Sequence, residues 1–232
     1  MKTTAYIVSL AVSLFAAAGA HAAITVADPT AGGISYQWLI QIGANESLST
    51  PNHSNSHVGA WSWNDTDFVN MMGGGVNKGW THTTSWAALQ LTEAAIITIA
   101  MEGNSSVPWG GGVRASADLV PSFTVWKGWD SSADFGNNHT YENDGLINWS
   151  SDLTQLVGRL DNSTQPTGQI TLQLEAGNYT IAFGSNFGDP GDGAAPGNQG
   201  YRATFTTSPI PEPSAAVLFG VASTLAVLRR RR

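Results

Sequence analysis

The sequence predicts an all-β protein: an antiparallel, jelly-roll-like β-sandwich between an N-terminal signal helix and a short C-terminal hydrophobic helix. Three observations predict it. Apolar residues in the middle of the chain recur at every second position, the spacing of strands with one buried face. Twenty-six glycines among 232 residues, with many asparagines and serines, break the chain at short intervals, as many short strands joined by turns require. Helical spacing is thin between the two ends, with only Asp152 to Arg159 suited to a turn or two.

The strands follow in order. Ile34, Tyr36, Trp38, Ile40 and Ile42 alternate with Ser35, Gln37 and Gln41, which predicts one half-buried strand. Leu89 and Leu91 alternate, as do Ile97, Ile99 and Met101, with a turn expected over Thr92 to Ala95. Phe123 and Val125 place another strand over Ser122 to Trp126. Ile170, Leu172 and Leu174 lead into Glu175-Ala176-Gly177-Asn178, and Tyr179, Ile181 and Phe183 lead out. Apolar alternation on both sides of a glycine-asparagine turn predicts a β-hairpin. Tyr201, Ala203 and Phe205 give a last strand, reached through a long polar loop from Ser185 to Gly200.

Three segments organise the chain: 1–22, a body over 23–208, and 209–232. Met1-Lys2 is a short positive start, Ala5 to Ala18 is mostly apolar, and Ala20-His21-Ala22 supplies small residues at the positions signal peptidase reads. Cleavage is expected after Ala22, with Ala20 the alternative. Cysteine is absent, so neither disulfides nor thiol chemistry enter the fold or the function. Formal charge is −7, and Lys2 and the four terminal arginines lie outside the body. The body keeps only Lys78, Arg114, Lys127, Arg159 and Arg202 against most of the acids. That balance excludes nucleic acid as a partner, because binding it requires a basic face.

The last segment carries the sharpest motif. Pro209, Pro211 and Pro213 hold the backbone extended around Glu212. The fourteen residues from Ala215 to Leu228 form an apolar run interrupted only by Ser223 and Thr224, and as a helix they would span about 21 Å, short of a usual hydrocarbon core. Arg229, Arg230, Arg231 and Arg232 follow, and such a cluster stays on the cytoplasmic side. This order of features resembles the PEP-CTERM sorting signal of Gram-negative bacteria, with Pro211-Glu212-Pro213 standing at the name-giving tripeptide. The resemblance implies an exosortase that cleaves near the tripeptide and passes the protein to the exterior. It implies transient residence in the inner membrane, and then the cell surface or the extracellular matrix of an exopolysaccharide biofilm. An ordinary C-terminal anchor is the alternative. The body is loosely similar to small β-sandwich ectodomains found before such tails.

Two stretches of the body invite a ligand. Tryptophans lie beside glycine- and asparagine-rich segments, where indole faces could stack on sugar rings; Trp61, Trp63 and Trp129 are the candidates for a glycan platform. Core packing competes with that reading, because tryptophan is mostly buried. Asp130-Ser131-Ser132-Ala133-Asp134 offers alternating oxygens, so Asp130 and Asp134 would suit calcium, with a solvated loop as the alternative. An EF-hand is excluded by Phe135 and Tyr141 at its glycine and glutamate positions. His53 and His57, with Asp65 and Asp67, are a weaker metal arrangement. No serine elbow, phosphate loop or cysteine nucleophile is present. The expectation is an exported, non-catalytic protein without a required cofactor. The alternatives are a glycan-binding module and a secreted carbohydrate-active enzyme, whose two facing carboxylates the sequence does not identify.

Overall fold

The computed structural model describes residues 22–29, 34–59, 63–64, 79–80, 84–109, 113–114, 118–131, 150, 152–153, 155–160, 165–185 and 198–211. The signal segment before Ala22 and the tail from Glu212 onward lie outside the described residues. So do the two expected flanking helices.

Among the described residues fifteen strands follow in chain order: Ala23–Thr25 (β1), Trp38–Ile42 (β2), Ser47–Ser49 (β3), His57–Gly59 (β4), Trp63–Asn64 (β5), Gly79–Trp80 (β6), Ser85–Leu91 (β7), Ala95–Gly103 (β8), Pro108–Trp109 (β9), Val113–Arg114 (β10), Pro121–Lys127 (β11), Gln155–Leu160 (β12), Thr167–Leu174 (β13), Gly177–Ser185 (β14) and Asn198–Pro209 (β15). Two main sheets result. One has six strands in the order β1-β2-β7-β14-β11-β12; the other runs β13-β8-β15-β3, with β4 also on β15. Among the described strands all pairings are antiparallel except β2 with β7, which is parallel. The protein is a β-sandwich, as the alternation predicts.

The core lies between the sheets. Trp38, Ile40 and Ile42 of β2, Leu89 and Leu91 of β7, and Ile181 and Phe183 of β14 face Ile97, Ile99 and Met101 of β8 and Ala203 and Phe205 of β15. Each set is every second residue of its strand, so one pleated face supplies the whole layer. The Phe183 ring packs at a tilt with its centroid 5.2 Å from that of Tyr201 and 5.8 Å from that of Phe123. Buried polar atoms here are partnered: Trp38 Nε1 donates to the Tyr201 hydroxyl (3.0 Å), which shares a 2.8 Å bond with Ser85 Oγ.

Two predicted elements fold differently. The expected hairpin around Glu175 is instead a crossing between sheets. β13 pairs with β8, whereas β14 pairs with β7 and β11. Gly177, at φ 154°, lies in a region other residues rarely adopt. It turns the chain so that Leu174 and Tyr179 enter one core from opposite sheets. The turn after β7 makes the same crossing into β8. Residues 155–160, expected near a helical turn, form β12 beside β11. Where the sheets close on each other at β12 and β13, glycine permits the approach. A Cβ on Gly158 would stand 2.5 Å from Leu172 Cδ1, and one on Gly168 2.4 Å from Leu160 Cδ2.

Candidate functional site

The first candidate is where the tail leaves the body. β15 stays paired to its last residue, Pro209 opposite Ala95 of β8. Only Ile210 separates it from Pro211, which is exposed. The N-terminal side arrives at the same end, because Ala23 of β1 pairs with Gln41 of β2 beside the turn that follows Ile42. Glu46 ties the two. Its backbone N–H donates to Thr207 Oγ1 (3.0 Å) and its carbonyl accepts the Thr207 N–H (2.9 Å). Its carboxylate accepts the N–H of Gly43 (2.5 Å) and of Ala22 (3.3 Å). Thr207 Oγ1 donates in turn to the Gly43 carbonyl at 2.5 Å. Both junctions thus leave one end of the sandwich. Ala22 packs partly against the core. Ala20, Glu212, Pro213 and Arg229 to Arg232 lie outside the described residues.

The second candidate, the Asp130 loop, is a buried fastening. Asp130 is fully buried. Its Oδ2 accepts the Ile34 N–H (2.9 Å), its Oδ1 accepts the Ser150 hydroxyl (2.6 Å), and its own N–H donates to the Tyr36 hydroxyl (2.9 Å). The Tyr36 hydroxyl also bonds Thr180 Oγ1 at 2.6 Å, and burial pushes its pKa up to about 12. Next to it, Ser131 gives both N–H (2.9 Å) and hydroxyl (2.7 Å) to Asp152 Oδ2, which holds that carboxyl below its usual range. Each Asp130 oxygen thus accepts a protein donor. Asp134 lies outside the described residues.

These bonds hold a strap across the outer face of the six-stranded sheet. Ile34 and Tyr36 do bury, as their alternation predicts, but outside the strand and on the sheet's far side from Trp38, Ile40 and Ile42. The chain switches sides at Gln37, whose N–H donates to the Trp86 carbonyl (2.9 Å) and whose side-chain oxygen accepts the Trp86 N–H (2.5 Å). Under the strap, Ile34, Tyr36, Trp86, Ala88, Trp126, Leu153 and Ala182 make a second apolar cluster. Trp129 packs partly buried against it and gives its indole N–H to the Leu89 carbonyl at 3.2 Å. Trp63 pairs by backbone with Trp80 across β5 and β6. Trp61 lies outside the described residues.

His53 and His57 are engaged locally. His53 Nδ1 accepts the Asn55 N–H (3.1 Å), and His57 Nδ1 bonds the Ser54 carbonyl. Burial lowers the His57 pKa. Asp65 and Asp67 lie outside the described residues. Among the described residues no three His, Asp or Glu side chains gather as metal ligands.

The open surface is the outer face of the five-stranded sheet, which sequence reading did not single out. Hydroxyls pair across its strands: Ser49 with Thr204 (2.8 Å), Ser47 with Thr206 (3.2 Å) and Thr98 with Thr171 (2.9 Å). A shallow depression of about 500 Å³ lies over Ala100, rimmed by Gln169, Thr204 and the loose Glu102–Arg202 pair at 3.9 Å. Its only advance signal was polar residues at alternate positions of β13 (Thr167, Gln169, Thr171) and β15 (Arg202, Thr204, Thr206).

The fold and its surfaces define an all-β, two-sheet domain. No protein-family model matches the chain, and no curated protein matches it. Among solved structures it is similar to CorA, a surface-associated copper-binding protein important in copper acquisition by Methylomicrobium album BG8. That likeness has 19% identity and a TM-score of 0.44, over 73% of this chain and 99% of that one. It is also similar to MopE, a secreted protein of Methylococcus capsulatus in which an oxidized tryptophan facilitates copper binding (13% identity, 72% of this chain, 85% of that chain, TM-score 0.33). A third is the pre-peptidase C-terminal domain of a Bacillus anthracis collagenase (8% identity, 73% of this chain, 94% of that chain, TM-score 0.30). The copper chemistry in those descriptions belongs to those proteins.

Proposed function

We propose that this chain is an exported, non-catalytic protein of the cell surface or extracellular matrix, delivered by exosortase processing of its tail. The observation that carries the reading is the common exit of both ends. β15 is paired up to Pro209, two residues before Pro211, while Ala22 meets Glu46 at the same end of the sandwich. A body so arranged stands close to the membrane while either end is still attached, and Pro211-Glu212-Pro213 begins where the sheet stops. Signal peptidase removes residues through Ala22, and the exosortase removes the apolar run with Arg229 to Arg232. Association with exopolysaccharide is the role such delivery serves.

Fractionation of producing cells with and without the exosortase tests this, with the C-terminus of the released form read by mass spectrometry. Exosortase-dependent release without Arg229 to Arg232 is expected. An intact tail held in the inner membrane in both strains would leave a plainly anchored ectodomain.

A second reading, a glycan-binding module, draws on the hydroxyl-lined outer face rather than on Trp129. Its amide, hydroxyl and ion-pair groups around Ala100 suit the hydroxyls of a sugar chain. Loss of retention on immobilised polysaccharide in the E102A/R202A variant is the expected result; unchanged retention would remove this face from consideration.

A further inference from the structure

The edges of the two sheets are not alike. β1 and β3 are three residues each, too short to template another strand. β12 carries the charge of Arg159, and its pairing with β11 shifts register at Val125/Trp126. β13 has none of these protections. It runs eight residues, Thr-Gly-Gln-Ile-Thr-Leu-Gln-Leu, without charge or proline, and pairs with β8 in unbroken register. It is the end strand of its sheet. Among the described residues, the backbone groups on its other side have no backbone partner. Natural sheets usually guard such an edge with lysine, proline, a bulge or brevity.

A second observation points the same way. Val157, Leu160, Ile170 and Leu172 remain only partly buried where β12 closes over β13. Apolar surface therefore borders an unpaired backbone edge, in a chain whose net charge is −7. Two copies of an acidic protein repel over most of their surfaces, and β13 is an uncharged strip on which they can meet.

We propose that β13 is the interface through which two copies of this chain join, antiparallel and strand to strand, making their five-stranded sheets continuous. The pleat restricts the register, because a one-residue slip would place hydroxyl positions against aliphatic ones. Pairing about Ile170 satisfies this. Ile170 meets the partner's Ile170, Gly168 with Leu160 packed over it stands opposite the partner's Leu172, and Gln169 lies opposite the partner's Thr171. Each contact is then aliphatic with aliphatic or amide with hydroxyl, so the strand complements itself, as a two-fold interface demands. This inference is independent of how the tail is processed.

Sedimentation over a dilution series tests it, using the released form or the full chain in density-matched detergent. Wild type is expected to dimerise at micromolar concentration. Q169K/T171K sets ammonium groups opposite each other twice across the two-fold, and about a tenfold or greater weakening is expected, worth about 1.4 kcal/mol or more. Q169E/T171K changes the same exposed positions but sets carboxylate against ammonium, and dimerisation should return. Circular dichroism of both variants separates misfolding from dissociation, and the second serves as the folded control. A wild type monomeric up to about 100 μM, well above any micromolar affinity, overturns the proposal. So do two variants that behave alike, whether both dimerise or both dissociate.

Discussion

The two sheets turn outward the same kind of alternate position, and the two outer faces end in opposite states. On the six-stranded sheet those positions hold Trp86, Ala88, Trp126 and Ala182, and the strap through Ile34 and Tyr36 covers part of the face. On the five-stranded sheet they hold Thr98, Thr204, Thr206 and Thr171, whose hydroxyls bond along the exposed surface. Alternation decides that a strand has two faces; the chemistry of the outer set decides whether a third layer is recruited. Large apolar side chains gain roughly 1.5–3 kcal/mol each on burial and so reward a covering segment, whereas threonine and serine do well in water.

That contrast can be broken at its fastening. Asp130→Ala would leave the Ile34 N–H, the Ser150 hydroxyl and the vacated space uncompensated, at an expected cost of about 3–5 kcal/mol. Urea unfolding measures it; a loss below about 1 kcal/mol would mean the strap is held by packing alone.

The next effect is alkaline. Tyr36 is pushed up to about 12 from an ordinary 10.0 by burial, so the folded state holds its proton where the unfolded state has lost it. The unfolded chain binds fewer protons between those values, and stability falls as pH rises from about 10 to 12, by about 2–3 kcal/mol. Tyr36→Phe removes Tyr36's share of this slope and leaves that of Tyr201 and Tyr179, whose hydroxyls burial also pushes up, but it orphans the Asp130 N–H, costing about 1–3 kcal/mol at neutral pH. An unchanged slope in the variant would assign the titration to other groups.

A smaller effect has the opposite sign. Thr124 lies fully buried on the covered sheet's outer face, and among the described residues its hydroxyl has no partner, like those of Ser122 and Thr84 and the Trp126 indole N–H. Thr124→Val keeps the shape and removes the unpaired group, so a gain of about 1 kcal/mol is expected. A loss would reveal a bonded water at that hydroxyl. The open face should respond least. Thr171→Ala deletes one exposed hydroxyl pair with Thr98 and should move stability by no more than about 0.5 kcal/mol. A larger loss would show that the hydroxyl ladder is structural.

Much of this architecture was legible in advance because burial follows a two-residue period. Leu89, Leu91, Ile97, Ile99, Phe123, Val125, Tyr201 and Phe205 all lie on the expected strands and face the core. Pairing was not legible. The segments flanking Glu175 have the composition of a hairpin, yet they belong to different sheets, because a short turn can set two strands side by side or face to face. Nor was the work of Asp130 visible: an oxygen-rich loop looks alike whether its carboxylate meets a cation or an amide 96 residues earlier. Tyr36 and Glu46 carried no local signal, since their key partners stand 144 and 161 residues away in sequence.

By itself the sequence determined the class of fold, the positions that enter a core, the acidic and cysteine-free character of the body, and the resemblance of its ends to export and sorting signals. These depend on composition and short spacings, which neighbouring residues set. Tertiary structure alone decided which strands are neighbours, which outer face is covered, which carboxylate becomes a fastening, and that both ends leave the body together. Each of these depends on groups brought together from distant parts of the chain, and only the folded topology specifies them.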